Sequence, residues 1–276
     1  MFLQRALVTF TLGPLALYLV YLGGWYYFLP VAAVLLLATI EYADLMGRLQ
    51  WQTPLWILLP AVVAQWLLPA PVQTQLFGRV VWGHGLFAPA LVASLLAAVC
   101  FGLYQYEYRT RPLAPADWLA TSVGIVFLGW IGSHFFRLRG VEGSLAAQWT
   151  AVALTGTWVA DSAAYVVGKR WGRRKLSPRL SPNKTVEGYL GGVVFGVLVA
   201  VALGSYLKMP LVPALVLGVL VSVVSPAGDL AISMLKRPAG VKDSGSFLPG
   251  HGGALDRIDS LIWSVTMAYY LALFVS

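Results

Sequence analysis

Residues 188–232 read GYLGGVVFGVLVAVALGSYLKMPLVPALVLGVLVSVVSPAGDLAI, two long apolar runs separated only by Lys208-Met209. A helix needs about 20 largely apolar residues to cross the hydrocarbon of a bilayer. The runs 188–207 and 210–232 meet that length, and the one acid among them is Asp229, next to Pro226 and Gly228. Strands of a membrane barrel would alternate in polarity over about 10 residues, and these runs do not. Lipid offers backbone groups no partner, so helices are the remaining solution.

Working outward, the same character fills the 276 residues: 59% are hydrophobic and 11% charged, with a net charge of +8. A soluble domain carries roughly 25% charged residues. Nine spans are predicted: 6–22, 26–41, 54–70, 86–104, 117–135, 148–168, 188–207, 210–232 and 259–275. The fold class expected is an all-α polytopic membrane protein with about nine transmembrane helices and a cytoplasmic N terminus. The run 6–22, flanked by Arg5, reads as a retained span and not a cleaved leader, because no small-residue cleavage site follows it. No soluble domain is marked off. Residues 1–147 form an N-terminal helical scaffold, and 148–276 form a region holding nearly all the unusual polar residues, with polar loops 169–187 and 233–258.

The positive charge fixes an orientation. Lys169, Arg170, Arg173, Arg174, Lys175, Arg179 and Lys184 lie in one loop. Placing that loop in the cytoplasm and alternating through nine spans puts fifteen basic residues inside and four outside, in the sense of the positive-inside rule. Nucleic acid is not an expected partner, because these residues border spans and no binding motif accompanies them. Trp25, Trp51, Trp66, Trp82 and Trp118 lie near span ends and read as an interfacial belt. The single Cys100 sits in an apolar run and reads as a buried thiol, with no disulfide or cysteine metal site. Glu41 and Asp44 share a helical face at the end of the second span and read as a solvated helix end. His84 and His134 have no metal-ligand spacing.

Three segments carry chemistry. Asp161 stands in an apolar span, where a carboxylate is expensive unless paired or hydrated, so function is the default reading against a structural hydrogen bond. The stretch Ser181-Pro182-Asn183-Lys184-Thr185-Val186-Glu187-Gly188 precedes the seventh span. Ser181, Asn183 or Thr185 can cap the following helix, whose unpaired amides together with Lys184 suit phosphate oxygens. It lacks the glycine spacing of a Walker loop. Next, Asp229 follows a Pro226–Gly228 segment expected to break the helix, with Lys236 and Arg237 one to two turns on. Finally, Lys242-Asp243 and His251-Gly252-Gly253-Ala254-Leu255-Asp256-Arg257-Ile258-Asp259 gather acids and bases beside the last span. Clustered carboxylates favour a hard cation such as Mg²⁺ over zinc, and basic residues among them suggest a phosphate-bearing substrate.

Ser233-x-Leu235-Lys236-Arg237, Lys242-Asp243 and His251-Gly252-Gly253-x-x-Asp256-Arg257-x-Asp259, in that order, resemble the signature of phosphatidate cytidylyltransferases, as do DSAAYVVGKRWGRRKLSP from Asp161 and SPNKTVEG from Ser181. The resemblance covers about residues 155–262. One departure is Ala254, where that signature carries a larger aliphatic residue; the position is packing. The resemblance implies transfer of the cytidylyl group of CTP to phosphatidate, with CTP, phosphatidate and membrane lipid as partners, Mg²⁺ and room for a second cation as cofactor, a homodimer left open, and a bacterial inner membrane location with the site facing the cytoplasm. It implies Asp229 and Asp256 as metal ligands supported by Asp161, Asp243 and Asp259. Lys236, Arg237 and Arg257 join the two aspartates as catalytic residues, while Ser181, Lys184, Thr185, Glu187, Lys242 and His251 bind substrate. Two other readings stay open: a CTP-dependent polyprenol or phytol kinase, and a secondary transporter, which also places carboxylates at broken helices.

Overall fold

A computed structural model describes residues 13–141, 145–246 and 252–275. Its framework is helical: α1 (Gly13–Leu22), α2 (Gly24–Arg48), α3 (Leu55–Leu67), α4 (Ala70–Phe77), α5 (Phe87–Glu107), α6 (Ala114–Gly124), a π-helical segment (Ile125–Ile131), α7 (His134–Arg139), α8 (Ala146–Trp171), α9 (Val186–Tyr206), α10 (Leu211–Lys236), α11 (Leu255–Ile258) and α12 (Leu261–Val275). The loop between α8 and α9 holds a departure from an all-helical chain. Strand β1 (Lys175–Ser177) pairs antiparallel with β2 (Ser181–Thr185), Lys175 opposite Thr185.

Among the described residues six helical stretches are long and apolar enough to cross a membrane: Gly24–Arg48, Phe87–Glu107, Ala114–Arg139, Val186–Tyr206, Leu211–Lys236 and Leu255–Val275. The expected span 54–70 is α3, followed by α4 at a 76° bend. The expected span 148–168 lies within α8, which at 26 residues is long enough, but whose Thr, Ser and Gly residues and Asp161 make it less apolar than the six. Of the expected span 6–22, only α1 lies within the described residues.

The polar half of the chain is held together by close backbone approach. Along α9, Gly188, Gly192, Gly196 and Gly204 are buried at helical spacing, and α8 packs into that stripe. A Cβ on Gly192 would come within 2.7 Å of the Ala160 carbonyl oxygen, and one on Gly188 within 2.6 Å of the Ala164 carbonyl oxygen. Small residues that admit a neighbouring backbone are how membrane helices associate without a hydrophobic driving force. On the far side α10 packs against α9 and α12. There Gly228 abuts the Asp259 backbone and Trp263, so the helices carrying Asp229 and Asp259 lie almost in contact.

Three expectations change. The helix does not break at Pro226: α10 runs unbroken from Leu211 to Lys236. Proline removes one ladder bond, and the Tyr189 hydroxyl on α9 donates to the Val223 carbonyl in that turn at 3.3 Å. Trp66 is not interfacial: it is 1% exposed, and its indole donates to the Leu128 carbonyl inside the π-helical segment at 2.9 Å. That segment shifts the backbone register and leaves carbonyls for side chains to satisfy. Cys100 is exposed, because α5 packs mainly against α3, α6 and the π-helical segment and turns most of its surface outward.

Candidate active site

The ends of α8 and α10 meet the starts of α9 and α11 around a cavity of about 670 Å³. Leu176 of β1 and Ser181, Asn183, Lys184 and Thr185 of β2 line part of it. Its wall includes five acids (Asp161, Asp229, Asp243, Asp256 and Asp259) and six bases (Lys169, Lys184, Lys236, Arg237, Lys242 and Arg257). Eleven charged side chains around one cavity, on a chain with 11% charged residues, is a concentration that packing alone does not require.

Each wall is built locally. Thr185 has extended backbone and its hydroxyl accepts from the Gly188 N–H at 3.1 Å, capping α9. This leaves Lys184, one residue earlier, aimed across the cavity. Its ammonium pairs with Asp229 Oδ2 at 2.5 Å, and the Ser233 hydroxyl, one turn along α10, donates to Asp229 Oδ1 at 3.4 Å. Both side chains of this pair keep partial access to water, at 28% and 33% exposure.

The second pair is drier. Lys236 Nζ meets Asp256 Oδ1 at 2.5 Å with both side chains 6% exposed. The other oxygen, Oδ2, accepts from the Ser244 N–H at 2.7 Å and the Gly253 N–H at 3.1 Å. Just before it, Gly252 has φ +84°, where a β-carbon would be strained and would sit 2.9 Å from Asp256 Oδ2. The buried Asp259 carboxylate accepts from the Ser260 N–H at 2.7 Å. The Asp229 charge acts on both Asp161 and Asp259, while Lys184 and Arg257 act on Asp161.

The cavity thus collects Asp161, Ser181, Lys184, Thr185, Asp229, Lys236, Arg237, Lys242, Asp243, Asp256, Arg257 and Asp259 from the residues the sequence singles out. Arg237 also anchors the hairpin, its Nε donating to the Leu180 carbonyl at 2.9 Å. Glu187 stands outside the wall. Its carboxylate accepts from the Arg173 and Arg174 N–H groups, at 2.9 and 3.1 Å, and so ties the hairpin to α9. His251 lies outside the described residues.

Sequence reasoning missed Tyr165, Lys169 and Tyr189 on the wall, and Glu41 behind it. Asp44 is exposed, as a solvated helix end should be, but Glu41 is partly buried and accepts from the Ala254 and Leu255 N–H groups at 2.9 Å each. An acid at the end of an apolar run was the available signal.

The donor set consists of hard carboxylate oxygens, which fits Mg²⁺. Among the described residues no three acidic, histidine or cysteine side chains stand close enough to form a ready coordination group. The lysines neutralise Asp229 and Asp256 instead, so a cation on either would take over the position of an ammonium.

Comparison with known proteins gives one consistent result. The family model described as "Cytidylyltransferase family" matches residues 3–275. A protein named phosphatidate cytidylyltransferase from Synechocystis is 33% identical over 287 residues, covering 93% of this chain and 91% of its own. One of the same name from Bacillus subtilis is 40% identical over 152 residues, 54% of this chain and 56% of its own. Phosphatidate cytidylyltransferase 5, chloroplastic, from Arabidopsis thaliana is 34% identical over 274 residues, 90% of this chain and 66% of its own.

Proposed function

Since the chain belongs to the cytidylyltransferase family, we propose that its cavity transfers the cytidylyl group of CTP to phosphatidate, giving CDP-diacylglycerol and pyrophosphate. The observation that carries this reading is the pairing of a basic, phosphate-suited helix start at Lys184 with acids on three other helices in one cavity. A phosphatidate oxygen attacks the α-phosphorus of CTP, a new P–O bond forms, and the bond to the pyrophosphate oxygen breaks. The attacking oxygen is already anionic, so no strong base is needed. The protein's work is to position two anions and to neutralise charge that shifts to the leaving group.

Lys184 and the start of α9 face phosphate oxygens from one side, and Lys236, Arg237, Lys242 and Arg257 from the other. Ser181 and Thr185 flank the same helix start. Asp229 and Asp256 would hold Mg²⁺, with Asp161, Asp243 and Asp259 near them; the ion supplies Lewis-acid stabilisation of phosphate charge. Release of Lys184 and Lys236 from these acids would free two ammonium groups for the phosphates.

The cavity faces the cytoplasm and the N terminus lies on the same side, in a cell membrane crossed nine times. The fifteen-to-four bias of basic residues supports this orientation. So does the run of the helices: the Tyr27 hydroxyl near the start of α2 donates to the Phe135 carbonyl in α7, just past the π-helical segment, at 3.2 Å, while Glu41 near the end of α2 reaches the start of α11 at the cavity. The test is incubation of the purified protein with base-labelled CTP and phosphatidate. Labelled CDP-diacylglycerol is expected. Base label recovered only as CDP, with an added prenol phosphorylated, would favour the kinase, and uptake into proteoliposomes without turnover would favour the transporter.

A further inference from the structure

Glu41 belongs to none of the groups that face substrate, yet it is the point where the N-terminal helices grip the cavity. Its Oε1 accepts from the Ala254 N–H and its Oε2 from the Leu255 N–H, at 2.9 Å each, as α11 begins. The Ser244 hydroxyl lies 2.8 Å from Glu41 Oε2 and 3.0 Å from Asp256 Oδ2. A hydroxyl has one proton, so it donates to only one of these carboxylates at a time. The Asp256 oxygen keeps its two backbone donors in either case. The Glu41 carboxylate is also wedged between Gly245 and Gly253, with no room for a β-carbon at either.

Glu41 is itself fixed. It rides on the 25-residue α2, beside Tyr42, which is buried and donates to the Ala120 carbonyl at 2.7 Å. A carboxylate on a rigid helix that holds three donors of a loop is suited to setting that loop's geometry. That loop carries Asp243 and leads into the first turn of α11, which carries Asp256 and Arg257.

We infer that Glu41 is a positioning residue: through Ser244 and the first amides of α11 it sets Asp256 against Lys236 and the cavity. The inference rests on the cytidylyltransferase reading. Glu41→Gln keeps the size but presents an amide NH₂ to groups that need an acceptor, so one bond is lost and one donor is opposed. Ser244→Ala removes only the hydroxyl link.

The experiment is steady-state kinetics of both variants and of the double variant, per folded enzyme, in detergent with CTP and phosphatidate. Outer partners of ligand groups are worth about 10–100-fold in activity. Each single variant should lose kcat by about that factor while KM for CTP stays within about two-fold, since neither residue touches the nucleotide. Because both act through one link, the double variant should fall little further than the worse single one. A merely structural Glu41 would lower yield and melting temperature but leave kcat per folded enzyme unchanged. Unchanged kcat in either single variant, or losses that multiply in the double, would overturn the inference. If Glu41→Gln does not fold, Ser244→Ala decides alone by the same criterion. A wild-type protein inactive in this assay would instead overturn the reading on which the inference stands, and the inference with it.

Discussion

Lys236→Met removes one half of the driest ion pair in the cavity. Lys236 and Asp256 are each 6% exposed and meet at 2.5 Å. Breaking a buried pair from one side costs about 3–5 kcal/mol, because the remaining charge is left uncompensated. Here Asp256 Oδ2 retains the Ser244 and Gly253 amides, which places the expected cost at the lower end, about 3 kcal/mol. Lys184→Met is the internal control. It breaks a pair of the same length whose side chains are 28% and 33% exposed, and pairs open to water contribute about 0–1 kcal/mol. Both variants should lose turnover, but only Lys236→Met should unfold clearly earlier. The assay is thermal unfolding of purified protein in one detergent. A double variant, Lys236→Met with Asp256→Asn, should recover most of the stability and none of the activity, since the uncompensated charge is gone and the amide oxygen still accepts from the Ser244 and Gly253 N–H groups. Equal melting shifts for the two single variants would refute the ranking by burial.

Asp229→Asn should abolish turnover with little change in melting temperature, because its pair is partly hydrated; retained Mg²⁺-dependent activity would rule it out as the proposed Mg²⁺ ligand. A cysteine placed at Arg174 in a Cys100→Ala background should react with impermeant thiol reagents only from the cytoplasmic face, and labelling of intact cells from outside would reverse the topology. Gly192→Val should destabilise by about 1–3 kcal/mol through overpacking where α8 meets α9, read as a lower melting temperature; a neutral result would mean that the close approach is not what joins these helices.

The membrane class and the cavity were legible in the sequence for the same reason. Charge is so rare here that each acid or base in or beside an apolar run stands out, and Asp161, Asp229, Asp256 and Asp259 all line one cavity. A polar cap for α9 followed from side-chain chemistry at a helix start, with Ser181, Asn183 and Thr185 all candidates, and the structure selects Thr185. What stayed hidden depends on which residues meet across the bundle. Proline at 226 signals a break, but a hydroxyl contributed by α9 sits in the turn of a continuous helix. Trp66 has the composition of a belt residue, and only the π-helical segment's Leu128 carbonyl draws it inward. Glu41 is separated from Ala254 by 213 positions, and no spacing rule within one helix reaches that far. Cys100 looked buried because its neighbours are apolar, yet apolar residues in a membrane protein face lipid as readily as core.

The central claim, cytidylyl transfer to phosphatidate, is tested most directly by following which phosphate of CTP enters lipid. Purified protein is supplied with phosphatidate and CTP labelled at the α-phosphate in one reaction and at the γ-phosphate in another. Cytidylyl transfer predicts that the α-label appears in the lipid product and the γ-label in free pyrophosphate. Appearance of the γ-label in lipid, with the α-label left in a water-soluble nucleotide, would contradict it.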